Sequence, residues 1–236
     1  MSDGQIIVTG GSRGIGAAIA SELAGRGRSV VCLSRSGVAA AGHSIACDMT
    51  DEMTVRAALA EVARSGPITG LINNAGLHLR GPAAELSTTD YEQVMALNAT
   101  AVMVASREAY PHLRAAGGGI IVNIGSFFDK LGVRDNLAYS ASKAAVGAIT
   151  RCLAAEWARE GIAVVNVAPG YIETDLNRDF LVCEGARQWT EKRIPVGRVG
   201  QPQEVARLVA ALVIENISFL TGETIYLDGG QGMSHG

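Results

Sequence analysis

The chain has 236 residues, 29 of them glycine, with 48% apolar, 5% aromatic and 18% charged residues and a formal net charge of −3. High hydrophobicity with little net charge excludes a disordered chain, the glycines lack a collagen period, and no apolar run reaches the ~18 residues of a membrane helix. The mildly acidic balance argues against a nucleic-acid binder, which carries a clustered basic face. In chain order, Gln5–Val8 reads as a strand and Gly14–Arg26 as a helix stopped by Gly25 and Gly27. Ser29–Ser34 is a second strand, Ser36–Gly42 is too short and Gly/Ala-rich for a helix, and Ser44–Ala46 is a brief third strand. Asp51–Arg64 is helical, its leading acids suited to the helix dipole, and Thr69–Asn73 is a fourth strand. Thr89–Ala115 is one long helical pattern, with Pro111 expected to kink its last turn and Gly117–Gly119 to end it. Ile120–Ile124, Ala163–Val167 and Glu223–Leu227 complete the strands. Leu137–Glu160, Asp175–Lys192 and Pro202–Ile214 complete the helices.

Strand–helix alternation over the whole length means a parallel sheet covered on both faces, and the nearly continuous apolar strands fit double burial. No linker, repeat or low-complexity tract appears, so residues 1–236 are expected to form a single domain, with a lid near 175–200. Cys32, Cys47 and Cys152 lie in apolar stretches and read as small buried hydrophobes. Cys183, in the lid, lacks a local cation that would activate it. With no CxxC, no His pairing and no basic-then-apolar leader, a reduced cytoplasmic setting without a metal site is expected.

After the first strand, Thr9-Gly10-Gly11-Ser12-Arg13-Gly14-Ile15-Gly16 opens directly into a helix. Glycines permit a tight turn and close backbone approach to a pyrophosphate, and the helix N-terminus favours its charge. The second strand ends Leu33-Ser34-Arg35-Ser36, with no acid to bind a ribose 2′-hydroxyl. Arg35, with Arg13, instead suits a 2′-phosphate, which favours NADP(H) over NAD(H) as cofactor. The competing reading has Arg35 stacked on adenine and Arg13 as a solvated charge.

Tyr139 and Lys143 stand at i and i+4 on a predicted helix, hence on one face. A nearby ammonium stabilises tyrosinate and lowers the phenol pKa, as proton exchange with an alcohol or carbonyl requires. Upstream, Ser126 sits at the carboxyl end of the strand ending Asn123-Ile124, the edge where ligands bind in open α/β sheets.

The loop Thr9–Gly16, Asn73-Asn74-Ala75-Gly76, Asn98, Ser126, Tyr139/Lys143 and Pro169-Gly170 together resemble the short-chain dehydrogenase/reductase family, and the resemblance runs on to the Leu227–Gly230 tail. It implies an α/β, doubly wound Rossmann fold with a parallel sheet of about seven strands and helices on both faces. It implies an NAD(P)-dependent enzyme interconverting a carbonyl and a secondary alcohol. Tyr139 would be the general acid in reduction and the base in oxidation, with Lys143 holding the nicotinamide ribose and depressing the tyrosine pKa. Ser126 would hydrogen-bond the reacting oxygen, and Asn98 would hold a water relaying protons from Lys143. Gly10, Ser12, Gly14, Ile15 and Gly16 would cradle the cofactor, and Asn74, Ala75 and Gly76 would support the sheet and touch the adenosine side. Asp48 suits either the acid near adenine or a helix N-cap. Pro169, Gly170 and Thr174 resemble the nicotinamide-contacting segment, Thr174 being equally suited to an N-cap. A homotetramer built on the two long helices is also implied, the small Ala144, Ala145, Gly147 and Ala148 allowing either that interface or tight packing on the sheet.

Substrate is less legible. Phe127 and Phe128 directly follow Ser126 and, with Leu131, Tyr171, Leu176 and Trp189, would favour a hydrophobic or aromatic ketone or alcohol, unless they pack the lid or an interface. His78, after the Asn73–Gly76 motif, could reach the pocket mouth, but a solvated loop histidine is expected. Val167–Asp175 and Ile194–Ala206 resemble beta-ketoacyl-(acyl-carrier-protein) reductases of the family, whose acidic carrier protein would dock on Arg178, Arg187 and Arg193. The bulk of Phe127-Phe128 is unusual there. A catalytically silent NADP(H) sensor is the alternative of another class, though such proteins lose the tyrosine or lysine retained here.

Overall fold

The computed structural model describes residues 4–174, 184–215 and 217–233. The predicted helix start at Asp175, with Leu176, Arg178 and Cys183, lies outside them. The strands are β1 Gln5–Thr9, β2 Ser29–Ser34, β3 His43–Ala46, β4 Ile68–Asn73, β5 Gly119–Ile124, β6 Ile162–Pro169 and β7 Thr224–Leu227. The helices are α1 Gly14–Gly25, α2 Glu52–Ser65, α3 Thr88–Met95, α4 Ala101–Ala115, α5 Leu137–Trp157, α6 Glu184–Glu191 and α7 Pro202–Glu215.

The strands form one seven-stranded sheet in the order β3-β2-β1-β4-β5-β6-β7, and every pair is parallel. Alternate strand residues feed opposite faces, as a pleat requires. Ile6 and Val8 join the core under α1 and α7, where Ile19, Leu23, Val205 and Val209 are buried. Ile7 joins the other core, with Leu59 of α2, Leu113 of α4 and Trp157 of α5. β1, β4, β5 and β6 are buried along their whole length. At the sheet edges, with one neighbouring strand each, β3 is largely exposed and β7 largely half-buried.

Two expectations change. The long helical pattern runs through Pro111 to Ala115, and its irregularity lies instead at Ala96–Thr100, one π-helical turn between α3 and α4. Cys152 is exposed while Cys32 and Cys47 are buried. The face of α5 carrying Cys152 and Ala148 points away from the sheet, whereas Val146, Gly147 and Thr150 face it.

Asp51, not Asp48, caps α2, accepting bonds from the amides of Met53 and Thr54. Asp51→Ala should lower unfolding free energy by about 1 kcal/mol, read as a fall in the urea midpoint at unchanged m value.

Candidate active site

Strand order reverses at β1, whose successor in sequence lies on one side and β4 on the other. Loops leaving the carboxyl ends of these strands diverge there and leave a crevice. A cleft of about 1840 Å³ occupies it, bordered by the glycine loop, the β4, β5 and β6 ends and the start of α5. Gly10 (φ +68°) and Gly14 (φ +57°) hold left-handed conformations in that loop. A Cβ on Gly16 would lie 2.3 Å from the Gly10 carbonyl oxygen. The turn from β1 into α1 therefore closes only around glycine.

The N-terminus of α1 differs from those of α2 and α3. Asp51 and Ser87 cap the latter two with side-chain hydrogen bonds. Arg13, at the α1 N-cap, makes none, and the first turn has no acid. This uncapped helix end borders the cleft beside the exposed Arg13 and Arg35, with Ser12, Ile15, Ser34 and Ser36. Unsatisfied helix amides, a helix dipole and two guanidiniums form a site for a phosphate-bearing dinucleotide, so the residues present fit the implied cofactor. Asp48 also lines this end. Hydrogen bonds from Thr50 hold its carboxyl below the usual carboxylate range, and the nearby Arg35 charge acts in the same direction.

β4 is tied back to this loop. The Thr9 hydroxyl accepts from the amides of Asn74 and Ala75, both at 3.0 Å, and Asn74 Nδ2 donates to the carbonyls of Thr9 (3.0 Å) and Gly10 (3.2 Å). Pro169 ends β6, and the Gly170 amide donates to the Leu227 carbonyl at 3.0 Å. Pro169, Gly170 and Thr174 all border the cleft.

Ser126 follows β5 and is buried. α5 begins below it and presents Tyr139 and Lys143, one helical turn apart, to the same cleft. The Ser126 hydroxyl lies close enough to the Tyr139 phenol to pull its pKa down. Lys143 is 5% exposed, and its Nζ donates to the Ile124 carbonyl at 2.8 Å. Nζ lies 5.6 Å from the centre of the Tyr139 ring. The expected depression of the phenol pKa is not what this arrangement gives. Burial pushes the Tyr139 phenol up, with Ser126 pulling it back, and burial pulls Lys143 down to about 8. The ammonium is spent on a backbone carbonyl, and desolvation outweighs attraction.

Asn98 does not face solvent. It is fully buried in the π turn, its Oδ1 accepting from the Leu77 amide at 2.7 Å and its Nδ2 donating to the Leu77 carbonyl at 2.8 Å and Ser142 Oγ at 3.1 Å. A Cβ on Gly76 would lie 3.4 Å from Asn98 Oδ1 and 3.8 Å from Lys143 Nζ, so both atoms border the space beside Gly76.

Beyond Ser126 the wall is aromatic. Phe127 and Phe128 are buried, with ring centres 4.8 Å apart, and Tyr171 meets them edge-on at 5.3 and 6.1 Å. Leu131 and the half-exposed Trp189 also line this end. His78 is not a solvated loop residue. It is half-buried, its ring 4.4 Å from that of Tyr139, with a hydrogen bond between Nε2 and Asn136 Oδ1. Burial holds its pKa below the usual imidazole value, Arg80 and Lys143 add to this, and the Asn136 bond opposes it.

In the sequence reading Ser142 and Asn136 have no role and Thr9 only a place at the start of the glycine loop, yet each fixes a residue of the site. Ser142 lies between Tyr139 and Lys143, and its hydroxyl donates to the Tyr139 carbonyl at 2.7 Å. Its closeness in sequence to the pair was the available signal. Of the proposed carrier-docking arginines, Arg187 is paired with Glu173 and Glu191, and Arg193 lies over the Trp189 ring at 3.8 Å.

A family model described as enoyl-(acyl carrier protein) reductase matches residues 10–232. The chain is 37% identical to the 3-oxoacyl-(acyl-carrier-protein) reductase MabA of Mycobacterium tuberculosis, over 98% of this chain and 94% of that protein. It is 36% identical to a tropinone reductase homolog of Arabidopsis thaliana, over 95% and 90%. A gluconate 5-dehydrogenase from Burkholderia cenocepacia, solved with NADP and tartrate, is similar with a TM-score of 0.92 at 33% identity, covering 99% of this chain and 97% of that one.

The Lys143 shift has a stability consequence. Its folded pKa of about 8 lies below the 10.5 of an ordinary lysine. The folded state therefore resists the proton, and the burial penalty is fully present below about pH 8 and relieved as pH rises toward 10.5. Wild type should gain stability relative to Lys143→Met between about pH 8 and 9.5, before the raised Tyr139 phenol ionises. Urea midpoints of both proteins across that interval check this, and a constant difference would refute it.

Proposed function

The chain belongs to the short-chain dehydrogenase/reductase family and is an NAD(P)-dependent oxidoreductase acting on CH–OH donors, and from that premise we propose that it interconverts a ketone and a secondary alcohol on a hydrophobic or aromatic small molecule, with NADP(H) preferred. The observation carrying this reading is the convergence of Ser126, Tyr139 and Lys143 on one cleft that has two arginines at one end and an aromatic wall at the other. When bound, the dinucleotide supplies or accepts the hydride. Gly10, Gly14 and Gly16 let its phosphates approach the start of α1. Arg13 and Arg35 take a 2′-phosphate.

In reduction, Tyr139 gives its proton to the substrate oxygen, whose developing charge Ser126 stabilises by a hydrogen bond. A raised phenol pKa keeps Tyr139 protonated at neutral pH, which suits the acid role. In oxidation the phenolate must form first, so that direction gains as pH rises. Lys143 resupplies the proton, and a water in the space beside Gly76 connects it to Asn98. Asn98 Oδ1 keeps a second lone pair for that water beyond its bond to Leu77.

A carrier-protein thioester is the second reading, favoured by the 37% identity to MabA. The buried Phe127–Phe128 pair narrows the wall beside Ser126, and Arg187 is already paired within the chain, so a small aromatic substrate fits better. Retention of both Tyr139 and Lys143 speaks against a silent sensor. A cytoplasmic homotetramer belongs to the same reading, supported by the exposed small side chains of Ala144 and Ala148 on α5, and sedimentation measures it.

Turnover followed at 340 nm with NADPH or NADH against acetophenone, 4-phenyl-2-butanone, 5-ketogluconate and acetoacetyl-CoA tests the substrate class. Preference for the first two ketones with NADPH is expected, and preference for the thioester or for NADH would overturn it. Arg13→Ala/Arg35→Ala should cost NADPH affinity roughly 10-fold or more while sparing NADH. Tyr139→Phe should abolish turnover and leave NADPH binding intact, and a correctly folded, active Tyr139→Phe would remove the mechanism. Wild-type alcohol oxidation should rise with pH toward the raised Tyr139 pKa, while ketone reduction should fall above about pH 8, where Lys143 loses the proton it resupplies.

A further inference from the structure

We propose that His78 is a positioning residue for Tyr139, holding the phenol in its reactive place by ring packing. The proposal rests on the assignment of Tyr139 as proton donor. The imidazole lies against the phenol ring at 4.4 Å with a 43° tilt, and Phe128 closes another side edge-on at 5.9 Å.

The loop carrying His78 is itself tied down at three points. Asn98 grips Leu77 through both its amide and its carbonyl. His78 bonds Asn136, which is 3% exposed. The Gly81 amide donates to the Asp135 carbonyl at 3.0 Å. Asp135 itself holds a left-handed backbone at φ +63°, a conformation that costs a non-glycine residue energy and marks a constrained turn.

The tautomer follows from the network. Asn136 Nδ2 donates to the Arg134 carbonyl at 2.6 Å, which orients Oδ1 toward the imidazole. His78 Nε2 therefore carries the hydrogen, and Nδ1 is bare. Half-buried, with the cations Arg80 in its own loop and Lys143 on α5, the ring stays neutral at pH 7. It fixes the phenol without adding charge to it. A phenol free to swing would lose alignment with the substrate oxygen, and a displacement of about 1 Å can cost up to 10²-fold in rate.

The test compares His78→Ala, which removes the ring, with His78→Phe, which keeps a ring but loses the Asn136 tie. With the best ketone of the panel, His78→Ala should lower kcat about tenfold or more at unchanged NADPH KM, and His78→Phe should restore it to within about threefold. At acid pH, imidazolium formation faces Arg80 on its own loop, Arg134 and Asp135 on the adjoining turn, and Lys143 and Tyr139 on α5. Arg80 and Lys143 repel it, so wild type should lose activity only at a pH below the ordinary imidazole value, and His78→Phe should lack that limb. A readout independent of substrate is the Cζ resonance of Tyr139 in protein labelled with 13C-tyrosine. His78→Ala should admit water and lower the phenol pKa, and His78→Phe should not. Wild-type kcat in His78→Ala, equal losses in both variants tracking a lowered urea midpoint, or an unmoved Tyr139 titration would each overturn the proposal. Failure of the underlying functional reading looks different: Tyr139→Phe would then turn over whatever the His78 series does.

Discussion

A row of buried asparagines holds the site together. Asn73 of β4, Asn123 of β5 and Asn166 of β6 stand side by side in the sheet register, each 3% exposed or less. Asn73 Nδ2 donates to Asn123 Oδ1 at 2.8 Å and to Ser106 of α4 at 3.1 Å, and Asn123 Nδ2 donates to Thr150 of α5 at 2.9 Å. Leaving the Asn73 or Asn123 amide unpaired would cost about 1–3 kcal/mol, whereas Asn166 Nδ2 donates to Thr224 of β7 at 3.1 Å and its buried Oδ1 has no hydrogen-bond partner among the described residues. The row therefore fixes not only the strands against one another but also the height of α4 and α5 against the sheet. Asn74–Gly76 follow Asn73 directly, and Ser126 and Pro169 stand three residues beyond Asn123 and Asn166, so the register of the asparagines sets the register of the cleft. Gly125 shows how little slack remains, since a Cβ there would lie 2.5 Å from Asn166 Oδ1.

Above that row, burial governs the chemistry. It pushes the Tyr139 phenol up and pulls Lys143 down, so both groups move toward their neutral forms before any charge from a ligand is added. The Ile124 carbonyl and the Ser126 hydroxyl are the polar partners that make such burial tolerable. The rim of the same cleft, where Arg13 and Arg35 stand exposed, is open to water. One end of the site thus presents exposed positive charge and the other a buried aromatic wall.

Much of this was legible because local and global preferences agree. β2 spans Ser29–Ser34, as its unbroken apolar run indicates, and α1 starts at Gly14, where the glycine loop indicates. Cleft residues were readable where chemistry restricts residue type, as at Gly14 or Tyr139/Lys143. The rest depends on contacts between segments distant in sequence. His78 looks like a loop histidine until Asn136, from another loop, is placed against it. The π turn at Ala96–Thr100 leaves no composition signal, because the residues around it favour helix anyway. Cys152 sits in an apolar stretch, yet its exposure is decided by which side of α5 meets the sheet.

That π turn has a hereditary consequence. A π turn accommodates one residue more than an α turn, and each helical residue advances the side chains by about 100°. α3 and α4 are consequently out of phase as a single helix, and the offset is what lets Asn98 point inward while Leu113 and Ala105 still face the core. Substitutions can drift through this segment, but a one-codon deletion cannot. Removing a residue would either rotate all of α4 against the sheet or swing Asn98 off Leu77, so the chain length between Ser87 and Ala101 should be far more resistant to change than its amino acids.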